Sequence, residues 1–117
     1  MNVESMHNFC LGLRGVTAGF PFDEETLVFK VIDKIFAVIP LEDDGCISLK
    51  CDPERAQFLR EHYEAIVPAY HMNKKHWNSV YTNRLMDQEL VKSLILHSYE
   101  LVVKGLPQHV RRELEER

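Results

Sequence analysis

Residues 70–80, Tyr70-His71-Met72-Asn73-Lys74-Lys75-His76-Trp77-Asn78-Ser79-Val80, hold the densest set of chemically capable side chains in the chain. They include the only tryptophan, two of the six histidines, a lysine pair and two asparagines, and no acid occurs from residue 65 to residue 86. Lys74, Lys75 and, a little further on, Arg84 supply cations. His71, Asn73, His76 and Asn78 supply donors, and Trp77 or Tyr81 supplies an aromatic face. Phosphate recognition needs cations or donors, and an aromatic face adds sequence-tolerant contact with bases. The same groups also suit a polar pocket beside Trp77 for a protein segment or a small anionic ligand, without nucleic acid.

The elements around this stretch decide how it is displayed. Pro68 stiffens its entry and Asn73 favours a turn, so its first half reads as loop. Residues 77–82 alternate Trp, Ser and Tyr against Asn, Val and Thr, the pattern of a short strand. Binding groups often sit at such a loop-to-strand junction. A side chain as large as Trp77 is expected in the core, with its indole edge near the surface.

Other chemistries find less support. His71 and His76, five apart, invite a zinc site with Cys46 or Cys51. The two cysteines lack C-x-x-C spacing, so buried thiols and hydrogen-bonded histidines are expected instead, with no metal and no cofactor. Asp52 before Pro53 is a helix cap rather than a general acid. No serine sits in a nucleophile elbow, and no Gly-rich phosphate loop follows a strand. Asp52 should raise the Cys51 thiol pKa, which is wrong for a nucleophile. The expectation is a binding protein and not an enzyme.

The 117 residues suffice for one domain, 1–117, with an ordinary hydrophobic fraction of 45% and charged fraction of 27%. No apolar run reaches the roughly 20 residues that span a bilayer. The N-terminus lacks the basic and apolar regions of a secretory signal. Three cysteines, an odd number, argue against a disulfide framework and for a reducing compartment. These features point to a cytoplasmic monomer without membrane partners. The net charge of -4 disfavours general attraction to polyanions. Its distribution is uneven: residues 1–64 carry six basic against twelve acidic residues, and residues 65–112 carry seven against three. Such asymmetry can build one positive face on an acidic protein.

Read in order, the spacing predicts an amphipathic helix over 3–13, capped by Asn2 and stopped by Gly15. A Gly- and Pro-rich stretch, 15–22, follows as loop into an edge strand. Strands over 26–31 and 34–39 flank a turn at Ile32-Asp33, and a third over 46–51 follows the acidic turn Leu41-Glu42-Asp43-Asp44-Gly45. In that third strand Ile47 and Leu49 share one face, and Cys46, Ser48 and Lys50 the other. Asp52, Pro53 and Glu54 start a helix ending near residue 63, with Ala56, Leu59 and Tyr63 inward. Asp87 caps the longest helix, closed by Lys104, Gly105 and Pro107, and Pro107 can open a short final helix. The order α-β-β-β-β-α-β-α gives an α+β fold, a mainly antiparallel sheet with helices packed on one face.

Five segments together are similar to the MmcQ/YjbR family: Phe20-Pro21-Phe22, Leu27-Val28-Phe29-Lys30-Val31, Leu49-Lys50-Cys51-Asp52-Pro53-Glu54, Tyr70-His71-Met72-Asn73-Lys74-Lys75-His76-Trp77 and Ser98-Tyr99-Glu100-Leu101-Val102-Val103. The resemblance implies a fold like that of CyaY, the bacterial frataxin homologue, and DNA binding through a double wing of hairpins. The family often carries glycine near Ile32-Asp33 and where Ala69 stands. Frataxin binds iron through acids, and Asp23-Glu24-Glu25 or Glu42-Asp43-Asp44 are the counterparts to consider. Frataxin's acidic ridge lies on its first helix, however, where residues 3–13 hold only Glu4, so an iron role is not carried over.

Overall fold

The computed structural model describes residues 1–43, 45–84 and 87–117. Asn2 and Ser5 cap the first helix reciprocally: the Asn2 side chain accepts the Ser5 N–H, and the Ser5 hydroxyl accepts the Asn2 N–H. Helix α1 (Val3–Leu11) then ends at Gly12, two residues before the expected limit. Four strands follow: β1 (Val16–Gly19), β2 (Thr26–Val31), β3 (Lys34–Pro40) and β4 (Cys46–Lys50). Helix α2 (Pro53–His62) starts as expected, with Asp52 accepting the Arg55 N–H and proline in the first turn. After it come β5 (Ile66–Pro68), β6 (Trp77–Tyr81), α3 (Gln88–Lys104) and α4 (Gln108–Glu115).

All pairings are antiparallel, and the sheet order is β1-β2-β3-β4-β6-β5. The expected element order is therefore corrected by one strand, β5, and by α4 as a distinct closing helix. Three residues ending in proline make a weak strand signal. An edge position tolerates Pro68 because its missing N–H leaves no ladder bond unmade. Among the described residues, no helix is long and apolar enough to cross a membrane. The acidic turn at 41–45 carries Glu42 and Asp43 as expected, while Asp44 lies outside the described residues.

One core fills the helix-bearing side of the sheet. Phe29, Ala37, Ile39, Ile47, Leu49 and Val80 meet Met6, Cys10, Ala56, Leu59, Val91 and Ile95 from the helices. Between β3 and β4, where the ladder narrows to two residue pairs, the buried Ser98 hydroxyl of α3 intervenes. It donates to the Phe36 carbonyl at 2.5 Å and accepts the Lys50 N–H at 2.9 Å. Two backbone groups that would otherwise be stranded are satisfied by one side chain.

The β2–β3 turn has both central residues in the left-handed region, Ile32 at φ 44° and Asp33 at φ 66°. This is the backbone a two-residue hairpin wants, built here without the glycine that would adopt it without strain. Ile32 repays part of that cost by packing against the core.

Candidate functional site: a basic hairpin end beside a helix-free sheet face

The loop between β5 and β6 is held by its own backbone and by α2. Ala69 N–H reaches the Trp77 carbonyl at 3.1 Å, extending the β5–β6 ladder, and Asn73 Oδ1 accepts the Lys75 N–H at 2.9 Å to set the turn. The Cys51 N–H donates to the His76 carbonyl at 2.7 Å, tying the loop's end to β4. Arg60 reaches across from α2. Its Nε donates to Asn78 Oδ1 at 2.6 Å, and its terminal nitrogen donates to the Lys74 and Trp77 carbonyls. With its backbone pinned from behind, the loop turns His71, Asn73, Lys74 and Lys75 outward, and His76 is half-buried. Tyr70 is 81% exposed, with Lys74 Nζ 5.2 Å from its ring centroid and His71 edge-on at 5.4 Å.

Strand register separates the two faces of β6. Val80, opposite Ile47, joins the core, and Asn78, opposite Leu49, is only 2% exposed. Asn78 turns toward α2, where its amide oxygen takes the Arg60 bond and its nitrogen donates to the Ala56 carbonyl at 3.4 Å. Asn78 is thus corrected from a surface donor to an internal anchor. Trp77 is corrected the other way: it is half-buried, lies on the face away from the helices, and stands outside the core cluster. Its cross-strand partner is Lys50. On this helix-free face Gly19, Val28, Val38, Ser48, Ser79 and Val67 form one row across all six strands, with the Ser48 and Ser79 hydroxyls 2.9 Å apart.

The two ends of the sheet differ in charge, although Asp33 in the β2–β3 turn and Asp52 after β4 stand among the lysines of one end. At the Trp77 end stand Lys30 and Lys34 around the β2–β3 turn, Lys50 at the end of β4, and Lys74 and Lys75 in the loop. At the Tyr81 end stand Asp23, Glu24 and Glu25 before β2, and Glu42 and Asp43 after β3. Backbone N–H of Glu25 holds the Asp23 carboxyl below its usual range, whereas a carboxyl–carboxyl hydrogen bond with Glu42 raises that of Glu25. Tyr81 donates to Asp43 at 2.9 Å, which pushes the phenol up to about 12.

Arg84 belongs to that second end. It lies over the Tyr81 ring at 4.6 Å and borders, with His62, Tyr63, Glu64 and Ala65, an open depression of about 460 Å³. The structure therefore gathers His71, Asn73, Lys74, Lys75, His76 and Trp77, and separates Arg84 from them by the length of β6. Three residues outside the expected set complete the basic end: Arg60, Lys50 and Tyr70. Arg60 had one local signal, its place four residues after the inward Ala56 on a helix. Lys50 has meaning only once its register with Trp77 is known.

All three thiols have raised pKa values. Burial pushes Cys10 up to about 12 and Cys46 up to about 11. Burial is also the main cause of the raised Cys51 value, ahead of the expected Asp52, and Arg55 opposes it. Cys46 pairs with Tyr81, at the other end of β4 and β6 from His71 and His76. Among the described residues, no three His, Cys, Asp or Glu side chains gather as a metal site would require.

Among the described residues, these features define a small α+β protein of one six-stranded antiparallel sheet and four helices, with one sheet face bare of helices. The YjbR sequence pattern matches residues 11–101, and the chain belongs to the YjbR family. The uncharacterized protein YbdF of Escherichia coli O157:H7 is 40% identical over 111 residues, 91% of either chain. The uncharacterized protein YjbR of Escherichia coli K12 is 30% identical over 115 residues, 97% of this chain and 98% of its own. A crystal structure of a Deinococcus radiodurans protein superposes with a TM-score of 0.88 at 41% identity, covering 97% of this chain and 87% of that one.

Proposed function

We propose that this protein is a small DNA-binding module that meets DNA with the lysine-bearing end of its sheet. One observation carries the reading: Lys74 and Lys75 share that end with Lys30, Lys34 and Lys50, while the acids of the β1–β2 and β3–β4 connections lie at the other. The tips of the β2–β3 and β5–β6 hairpins both project there, three strand spacings apart in the sheet order. That is about 14 Å at the usual spacing. Two tips with Lys50 between them support reading them as the two wings that the family resemblance implies. The acidic β3–β4 connection is then not a wing.

The same reading makes the protein a cytoplasmic monomer that binds without catalysing. Three buried free cysteines suit a reducing compartment. The helix-covered antiparallel sheet is the support for a fold of the CyaY or frataxin type.

Titration with DNA at several salt concentrations tests the proposal. Each phosphate contact adds about -0.9 to the log-log salt slope for duplex and about -0.7 for a single strand. Replacing Lys74 and Lys75 by Ala should remove about two contacts' worth of slope and leave stability within about 0.5 kcal/mol. Absence of binding to any DNA at low salt overturns it.

A further inference from the structure

We infer that the basic end takes single-stranded rather than duplex DNA, with unpaired bases stacked on Trp77 and Tyr70; the inference rests on the DNA-binding reading above. Both rings stand at the lysine end and outside the core. Trp77 lies on the helix-free face opposite Lys50, and Tyr70 projects 81% exposed from the adjoining loop, beside Lys74. Each ring thus has a cation as neighbour: Lys74 lies over the Tyr70 ring, and Lys50 is the cross-strand neighbour of Trp77. An aromatic face beside a cation binds one nucleotide by its base and its phosphate together, and only an unpaired base has a face to offer.

Shape and charge favour a single strand. Between the rims of the helix-free face, the row Gly19, Val28, Val38, Ser48, Ser79 and Val67 consists of small side chains, with Val28, Ser48 and Ser79 buried beneath their neighbours. A strand leaving Trp77 meets low relief there, not a wall. The face is short along its strands: Trp77 and Tyr81 are four residues apart, about 13 Å at the usual rise. A duplex lying across it would carry phosphates onto Glu25, Glu42 and Asp43. A single strand can stay within the lysine end and avoid them.

The test uses Trp77, the only tryptophan, as its own reporter. The full-length protein at low salt is titrated with an oligothymidylate about ten nucleotides long, with a hairpin duplex of equal phosphate count, and with an oligouridylate of equal length. The expected result is saturable quenching of Trp77 emission by oligothymidylate, at an affinity at least about tenfold above the duplex. Tyr70→Leu, at an exposed position, should weaken oligothymidylate binding about 5- to 150-fold with the salt slope unchanged. In Trp77→Phe and Trp77→Leu, which lack the reporter, binding is read from the fluorescence anisotropy of an end-labelled oligothymidylate: Trp77→Phe should retain most of the affinity, and Trp77→Leu should lose it by a similar factor. Duplex bound as tightly as single strand, single-strand binding without a change in Trp77 emission, or tighter binding of oligouridylate would each overturn the inference while DNA binding itself stood. No binding of either DNA would overturn both.

Discussion

Arg60 of α2 and Asn78 of β6 are joined by a 2.6 Å hydrogen bond, and through it the helix grips the strand from which the lysine loop departs. One terminal nitrogen of the same guanidinium donates to the Lys74 and Trp77 carbonyls, so one side chain holds the loop's backbone at two places. Arg60→Met should cost about 1–3 kcal/mol, because it strands a buried amide oxygen as well as removing a charge-assisted bond. Thermal melting measures that cost. Hydrogen exchange should show faster exchange at the Cys51 and Ala69 amides, which bond to the segment Arg60 holds. Exchange unchanged at both amides would show that the loop does not depend on Arg60.

Trp77→Ala should destabilise the protein by only about 1–2 kcal/mol, less than the cost of a core aromatic, because the indole stands outside the core. Phe36→Ala, at a fully buried position, should cost about 3–5 kcal/mol. Urea unfolding of the two variants checks the order. A Trp77→Ala protein as unstable as Phe36→Ala would return the indole to the core.

Asp33→Gly should stabilise the β2–β3 hairpin by a few tenths to about 1 kcal/mol, since glycine takes φ 66° without steric cost. Gly15→Ala should act oppositely. Gly15 lies at φ 75°, and an added Cβ would collide with the buried Leu114 side chain. A shift of the two urea midpoints in the same direction would contradict this account.

Stability should fall on mild acidification because of His97. Its Nε2 accepts the Asp52 N–H at 3.2 Å, and burial lowers its pKa below 6.5, with Arg55 adding to the shift. The unfolded chain then binds the proton more readily than the folded one. His97's contribution is complete above 6.5 and is lost as pH falls through the lower folded value. The drop in melting temperature between pH 7.5 and 5 should be smaller in His97→Gln than in the parent. An equal drop in both would remove His97 from the account.

Dialysis against a chelator should leave the melting temperature unchanged, because His71 and His76 have no third ligand near them among the described residues. A large drop reversed by zinc or iron would show that these histidines bind metal.

Much of the fold was legible because its signals are local. Asp52 and Pro53 announce α2, Asp87 and Gly105 bracket α3, and the alternation of Ile47 and Leu49 against Cys46 and Ser48 is what the sheet displays. The alternation in β6 was equally clear, but its buried side was not. The size of Trp77 suggested that its own side faces the core, yet the Asn78 and Val80 side does. Asn78 can be buried because Arg60, 18 residues earlier, satisfies its amide oxygen and the Ala56 carbonyl its nitrogen. The site suffers most from such distance. The alignment of Lys50 with Trp77 and the removal of Arg84 to the opposite end follow from pairing register, which composition does not reveal.

The partial segregation of lysines and acids to opposite ends of the strands, with Asp33 and Asp52 the exceptions at the lysine end, gives the molecule an electric dipole along its strands despite its net negative charge. A polyanion would exert a torque on it before any contact forms, swinging the Tyr81 end away and the Trp77 end forward. Correctly oriented encounters would then outnumber those of random tumbling, and added salt would slow capture more than it hastened release. Reversing the acidic end by charge substitution, at residues remote from the lysine loop, would therefore alter how fast a ligand arrives and barely alter how long it stays.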